Sequence, residues 1–334
     1  MATFETLKLD KGLYRTDLGF NAELEKADPS ENYKGTSLEN LDAFSRQLKR
    51  FNIKVKGKDS SSVEKFFQTS DSAVLFPEYV SRAVRQGMEE ADILNSIIAT
   101  RTDINGLDYR TIYSVADDDD KELKNVNEGS FIPAVEIKTK ENLVRLQKHG
   151  RMLTASYEAI RFQRLDLFTI TLRQIGAHIA RSQIFDAVNV LISGDGNDNP
   201  ADIISVATPG TVTYEDLIKL WNAFDPYTMN TIICSPEVAA KILALPEMKD
   251  AAAGLNFHAS GKTVTPLGAK LIKHKEFSGG MLALDKNYAL EMVTAGGVQT
   301  DFDRLIDRQL ERAAITQISG FAKIFADASK VMNI

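Results

Sequence analysis

From Asp166 to Ile192 the chain carries one unbroken helical pattern with no proline in it. Phe168, Leu172, Ile175, Ile179, Phe185, Val188 and Ile192 recur at the spacing of a single helix face, with Ser182 as its polar gap. At ~1.5 Å per residue such a helix is about 40 Å long, a backbone along which other elements must pack. It is stopped by Ser193-Gly194-Asp195-Gly196-Asn197-Asp198-Asn199-Pro200, a run of turn formers that neither helix nor strand tolerates.

The segments on either side differ in kind. Residues 1–70 are polar, and Asp28-Pro29-Ser30-Glu31-Asn32 and Lys56 to Ser62 read as flexible stretches. Between them lies an amphipathic helix with Ser37 as its N-cap. Leu38, Leu41, Phe44, Leu48 and Phe51 share one face, and Arg46, Lys49 and Arg50 stay off it. That stripe must be covered, either by its own chain or by a neighbouring subunit. A second helix is expected from about Pro77.

Residues 107–115 and 135–148 alternate β-branched and aromatic residues with polar ones, the pattern of two strands. The tip between them, Ala116 to Ala134, holds Asp117-Asp118-Asp119-Asp120 and Asn127-Glu128-Gly129. A connection that long without core residues is functional or disordered. An isolated two-stranded hairpin is barely stable in water, so this one must rest on something else.

After the long helix the two periods alternate. A helix follows Thr213, Thr231 to Cys234 is an apolar strand, and Ser235-Pro236-Glu237 opens another helix. Strands are expected at Ala269–Ile272, Met281–Leu284 and Ala289–Val293, and strand-like alternation returns from Val298 to Phe325. This is an α+β chain rather than a doubly wound one.

With 334 residues the chain has material for about two domains. No apolar run reaches the ~20 residues that span a bilayer, so no membrane partner is expected. A start lacking a secretory-signal layout and a single cysteine, Cys234, suit a protein made in a reducing cytoplasm. There are 46 acidic against 40 basic residues, and no Lys/Arg cluster of the kind that displaces counterions from phosphates. A chain of this kind encloses nucleic acid more readily than it grips it.

The strings that suggest chemistry fail on spacing. Ser260-Gly261-Lys262-Thr263 ends like a phosphate-binding loop, but Asn256 stands where the first glycine must be. Asp195, Asn197 and Asn199 begin like a calcium loop, but Pro200 and Val206 replace the required glycine and glutamate. His149, His178, His258 and His274 show no metal-ligand spacing. There is no nucleophile elbow, and Cys234 ends an apolar strand. No catalytic residue, cofactor-binding residue or metal ligand is assigned, and no enzymatic activity is expected.

In their order and spacing, these elements resemble the capsid fold named after bacteriophage Hong Kong 97, found in major capsid proteins of tailed double-stranded DNA phages (Caudoviricetes). The strings that carry the resemblance are Phe67 to Val80, Val126 to Pro133, Lys148 to Glu158, Leu191 to Asn197, Asn230 to Ser235, Leu267 to Lys273 and Arg308 to Phe325. They extend over about residues 70–330. The resemblance implies an N-arm at 1–75, a P-domain helix segment at 76–100 and an E-loop hairpin at 101–150. It also implies a P-domain with a long spine helix at 151–204, an A-domain at 205–295, and P-domain strands with the C-terminus at 296–334. Its implied function is a structural virion subunit that assembles in the host bacterial cytoplasm. Hexamers and pentamers of the chain itself would close into an icosahedral shell around DNA, bound without sequence specificity. Scaffolding, portal and decoration proteins are the further partners.

Within that reading, candidates for contact between subunits are the acidic tip Asp117, Asp118, Asp119 and Asp120, together with Glu128. A basic edge of Arg304, Arg308 and Arg312 is the complementary candidate, and the stripe Leu38, Leu41, Phe44, Leu48 and Phe51 is a third. Some members of the family join subunits by a lysine–asparagine bond. Lys121, Lys124, Lys138 and Lys140 are available here, but Thr300 to Phe325 has no asparagine, so no such bond is expected. Residues 1–70 are too short and broken for a fused scaffolding segment. An encapsulin-like shell enclosing protein cargo is the alternative reading, and its shorter arm and hairpin argue against it. A soluble α+β enzyme built on dispersed carboxylates is the third.

Overall fold

The computed structural model describes residues 4–15, 19–91, 93–115, 125–130, 136–156, 162–249, 263–275, 277 and 280–334. They divide into two compact units, each assembled from separated stretches of chain. Unit 1 holds residues 1–92, 149–181 and 298–317, and unit 2 holds 93–148, 182–297 and 318–334.

The expected long helix is present as Leu165–Ser193, 29 residues, within one residue of the sequence reading at each end. Its first part belongs to unit 1 and its last part to unit 2. Its buried face differs from the expected stripe in the second half. Gln183, Ile184, Ala187, Val188 and Leu191 are buried there, whereas Phe185 is 39% exposed. The face follows the 3.6-residue period rather than hydrophobicity. It accepts Gln183 because the side-chain Nε2 donates to Ser319 Oγ at 3.2 Å.

Unit 1 is built around the helices Ala43–Arg50 and Phe76–Glu90 and the first part of the long helix. The helix from 76 starts where Pro77 supplies the φ of a first turn. It crosses the long helix at a very close approach. A Cβ on Gly176 would lie 2.0 Å from Val84 O, and one on Gly87 would lie 2.1 Å from Arg173 O. Only glycine at both crossings lets the backbones meet. Strand Gln299–Leu305 pairs antiparallel with Leu310–Thr316 in the same unit.

The N-terminal helix is shorter than expected. It runs from Ala43, and its N-cap is Asp42, which accepts from Ser45 N at 2.9 Å, not Ser37. Leu38 and Leu41 fall in the turns before it. Arg46, expected off the buried face, is 0% exposed, and Asp28, expected in a flexible stretch, is 3% exposed. The reason is a buried guanidinium site. Arg46 Nε donates to Asp28 Oδ2 at 2.7 Å, and Nη1 donates to Ser30 Oγ at 2.9 Å and Leu41 O at 2.6 Å. Tyr33 closes it, its hydroxyl donating to Asp28 Oδ1 at 2.5 Å and its ring 4.4 Å from the guanidinium carbon. An arginine paired and hydrogen-bonded in this way is compatible with burial, and here it folds 28–46 onto itself.

Unit 2 holds a mixed five-stranded sheet in the order Asp202–Ser205, Ser329–Asn333, Gly280–Leu284, Thr231–Cys234, Lys270–Lys273. Its fully buried strands, 231–234 and 280–284, are the continuous apolar runs expected of central strands. Ser329–Asn333 lies inside this sheet, parallel to Asp202–Ser205 and antiparallel to Gly280–Leu284. Helices Tyr214–Asn222 and Pro236–Leu243 start as read, at Thr213, with Asp216 completing a capping box, and at Ser235. In the same unit Thr100–Ile104 runs parallel to Leu290–Ala295, which pairs antiparallel with Ser319–Lys323.

Candidate functional site

Unit 2 also carries the hairpin, the element in which the sequence reading placed the acidic contact candidates. Strands Ile112–Val115 and Glu136–Thr139 pair antiparallel, Ile112 opposite Thr139 and Val115 opposite Glu136. Ile112 and Ile137 are 58% and 68% exposed, so these two side chains contribute little packing. The expected tip with Asp117, Asp118, Asp119 and Asp120 lies outside the described residues. Glu128 is exposed beside the turn closed by Ser130 N donating to Asn127 O.

Below the strands the hairpin enters a polar core. On the outgoing leg, Tyr109 OH donates to Glu291 Oε1 at 2.7 Å and Thr111 Oγ1 donates to Glu291 Oε2 at 2.6 Å. Thr102 Oγ1 adds a third donor at 2.6 Å, and Glu291 is only 5% exposed. Burial raises the pKa of the Tyr109 hydroxyl, and the Glu291 carboxylate raises it further, so the phenol stays a donor. On the returning leg, Lys140 Nζ lies 3.0 Å from Asp195 Oδ2 and also donates to Lys323 O. Asn142 donates from its backbone N to Asn197 Oδ1 at 3.1 Å and from Nδ2 to Gly196 O at 2.6 Å.

The Gly-Asp-Gly string that ends the long helix therefore has a structural task. Gly194, at φ 86, turns the chain into a left-handed conformation. Asp195 then accepts from Lys140, from Lys323 N at 2.9 Å and from Asn197 Nδ2 at 2.9 Å. Burial alone would raise the Asp195 pKa. The Asn197 hydrogen bond, the Lys140 charge and the Lys323 amide outweigh that and hold it below the usual carboxylate value. Lys323, 0% exposed, donates from Nζ to Leu191 O at 3.2 Å and Asn199 O at 3.0 Å. It places a cation at the helix C-terminus, where the dipole favours one. Burial lowers its pKa to about 8, with the nearby carboxylates, Asp195 first, opposing the shift. The calcium-loop pattern is thus filled by lysines and amides of the same chain. Among the described residues no group of three His, Cys, Asp or Glu could hold a metal.

The other sequence candidates are distributed over unit 1. Phe44 and Leu48 are buried in its core, with Phe51 packed partly against it. The Phe44 ring lies under the Arg82 guanidinium at 4.3 Å, and Arg82 Nη1 pairs with Asp42 Oδ2 at 2.6 Å. Leu38 and Leu41 are half-buried. Of the basic edge, Arg312 is already paired with Asp303, its cross-strand neighbour, and Arg308 is exposed with Asp307 3.8 Å away. The Arg304 side chain lies outside the described residues, as do Ser260, Gly261 and Lys262 of the phosphate-loop-like string. Thr263 Oγ1 donates to Leu271 O. Glu291 and Arg46 were not singled out as interacting groups by the sequence reading, and Asp195 was weighed only as the first position of a calcium loop. A lone carboxylate in an apolar strand, as Glu291 is in Leu-Glu-Met-Val, was the available signal.

Burial pushes the Cys234 thiol up to about 12, which leaves it an inert core group. No helix among the described residues is long and apolar enough to cross a membrane.

Comparison with known proteins places this architecture. No curated protein sequence matches the chain. Among solved structures it is similar to "Capsid of empty GTA particle computed with C5 symmetry", with a TM-score of 0.52 at 13% identity, covering 73% of this chain and 90% of that one. It is similar to the virus-like particle from Pyrococcus furiosus, with a TM-score of 0.51 at 12% identity, covering 77% and 99%. It is also similar to a structure from Mycobacterium phage Che8, with a TM-score of 0.50 at 16% identity, covering 68% and 85%. A family model described as phage capsid protein matches residues 139–322, more than half of the chain. The long helix, the hairpin and the mixed sheet are those of a Hong Kong 97-type capsid fold, and the chain belongs to the phage capsid protein family.

Proposed function

We propose that this protein is the major shell subunit of a phage head. It assembles as hexamers and pentamers of itself into an icosahedral capsid enclosing double-stranded DNA, and it has no enzymatic activity. The observation that carries this reading is the family match over residues 139–322, which takes in the long helix and most of unit 2. The charge balance agrees with enclosure rather than gripping, since acids outnumber bases 46 to 40. Shell formation then rests on many modest subunit edges rather than one large interface. The acidic tip 117–120 and the stripe from Leu38 to Phe51 remain part of the proposal as contacts. For Phe44 and Leu48 that role requires an edge that also contacts their own core.

An encapsulin-like shell around protein cargo is the competing reading, and a phage capsid family favours DNA over it. The contents of particles purified from cells carrying the whole phage decide between them. Nuclease-resistant DNA inside the shells is the expected result. A stoichiometric co-purifying protein, with no protected DNA, would replace the reading by the second one.

A further inference from the structure

The two legs of the hairpin are held by two different buried carboxylates. Glu291, on Leu290–Ala295, takes the Tyr109 and Thr111 hydroxyls of the outgoing leg at 2.7 and 2.6 Å. Asp195, just past the long helix, takes Lys140 of the returning leg at 3.0 Å, and its neighbours Gly196 and Asn197 take Asn142. The other root bonds, Lys140 N to Thr111 O at 2.9 Å and Val144 N to Tyr109 O at 2.8 Å, join one leg to the other. They do not tie the hairpin to unit 2, and the apolar grip at the root is the small cluster of Val144 with Val293 and Ala322. Ile112 and Ile137 are exposed, so neither isoleucine helps to hold it.

We propose that Glu291 and Asp195 form a two-point latch that fixes the hairpin to unit 2, so that any motion swinging the hairpin as a body must release both carboxylates. Each latch grips the chain immediately below a strand end, at Thr111 and at Lys140, so together they set the angle at which the hairpin leaves. Both positions are 7% exposed or less, so water does not replace the lost donors until the leg has lifted. In a shell subunit this makes the hairpin's angle a property of the subunit rather than of the neighbour it meets. That consequence rests on the proposed function; the latch itself does not.

The test is hydrogen–deuterium exchange read by mass spectrometry on the full chain, with variants matched in oligomeric state by size exclusion. Tyr109→Phe/Thr111→Val removes the donors of the outgoing leg, and Lys140→Met/Asn142→Ala those of the returning leg. Thr102→Val removes a donor from the same Glu291 carboxylate but from a strand outside the legs. A two-stranded hairpin released from its support is barely stable and frays. Each leg variant is therefore expected to speed exchange over 107–115 and 136–146 by about tenfold, and the combination by about a hundredfold. Exchange over 231–234 and 280–284 stays unchanged, and Thr102→Val leaves the hairpin within twofold of the unaltered chain. Hairpin exchange within twofold in the combined variant overturns the latch. So does a rise shared equally with the sheet, or an equal effect of Thr102→Val, since either marks the carboxylates as general core groups. If Lys140→Met does not fold, Asn142→Ala alone reports on the returning leg, because Asn142 is exposed. A failure of the chain to form shells leaves these outcomes readable.

Discussion

Asp195 and Arg46 show how single charged side chains hold pieces of this chain together. Asp195 sits at 3% side-chain exposure with Lys140 as its cationic partner. Removing one partner of such a buried pair costs about 3–5 kcal/mol, so Asp195→Asn is expected to lower stability by about 3 kcal/mol at neutral pH. The dependence on pH has a definite direction. The folded carboxyl lies below its ordinary value, so the folded chain binds fewer protons than the unfolded one between that depressed pKa and ~3.9. The contribution is complete above ~3.9 and is lost as pH falls through the folded pKa. Denaturant unfolding of both proteins from pH 3 to 7 should show the gap between them closing toward the acid end. A constant gap would contradict the assignment.

Arg46 and Asp28 make the same kind of pair in unit 1, with exposures of 0% and 3%. Arg46→Leu and Asp28→Asn are each expected to cost about 3–5 kcal/mol. The double variant should cost clearly less than their sum, because neither group is then left buried and unpaired. Additive losses in a double-mutant cycle would show that the two do not act as a pair. This site was not legible in the sequence. Hydropathy counts an arginine as solvent-facing, and the partner that makes burial tolerable lies 18 residues upstream with no periodic relation to it.

At the scale of elements, legibility follows how local the cause is. The long helix was read to within one residue because its period and its Gly/Pro stop are local. Thr231–Cys234 and the caps at Thr213 and Ser235 were read for the same reason. Thr100–Ile104, Asp202–Ser205 and Ser329–Asn333 were not read as strands, being short pieces whose identity depends on partners far along the chain. Phe185 misled because the helix face that packs is chosen by geometry, and its hydrophobicity counts for nothing on the outer side. The helix crossing at Gly87 and Gly176 is equally silent in a single sequence, yet it makes a sharp prediction. Gly176→Ala sets a Cβ 2.0 Å from backbone, so the helices must part, at about 1–3 kcal/mol. Gly297→Ala, with nothing within 4 Å of the new Cβ, should be nearly neutral. Thermal unfolding of the pair checks the contrast, and equal midpoints would mean that the crossing can relax.

At the scale of the molecule, the fold class and the family came from the order of weak strings, each unspecific alone. The candidate contacts fared differently. The acidic tip was visible as composition, but the groups that hold its hairpin, Glu291 and the Asp195 cluster, were not legible as such, because they meet legs up to 182 positions away in the chain. The basic edge proposed to meet the tip is partly spent within its own hairpin, where Asp303 pairs with Arg312. Replacing Asp117, Asp118, Asp119 and Asp120 together by lysine should therefore test the tip itself. If the tip registers subunits, assembly yield falls at low salt and recovers partly near 1 M salt, where charges a few ångströms apart are screened. Unchanged assembly at every salt concentration removes the tip from the contact set. Denaturing gels of mature shells should show only monomer-sized chain, and a ladder would reveal a covalent link of another kind.

The central claim, that this chain is a self-assembling shell subunit, is tested most directly by negative-stain electron microscopy of the purified protein, expressed alone and with a scaffolding protein. The account predicts closed shells, tubes, or five- and six-fold rings. A monomer that persists across salt and concentration in both preparations would contradict it.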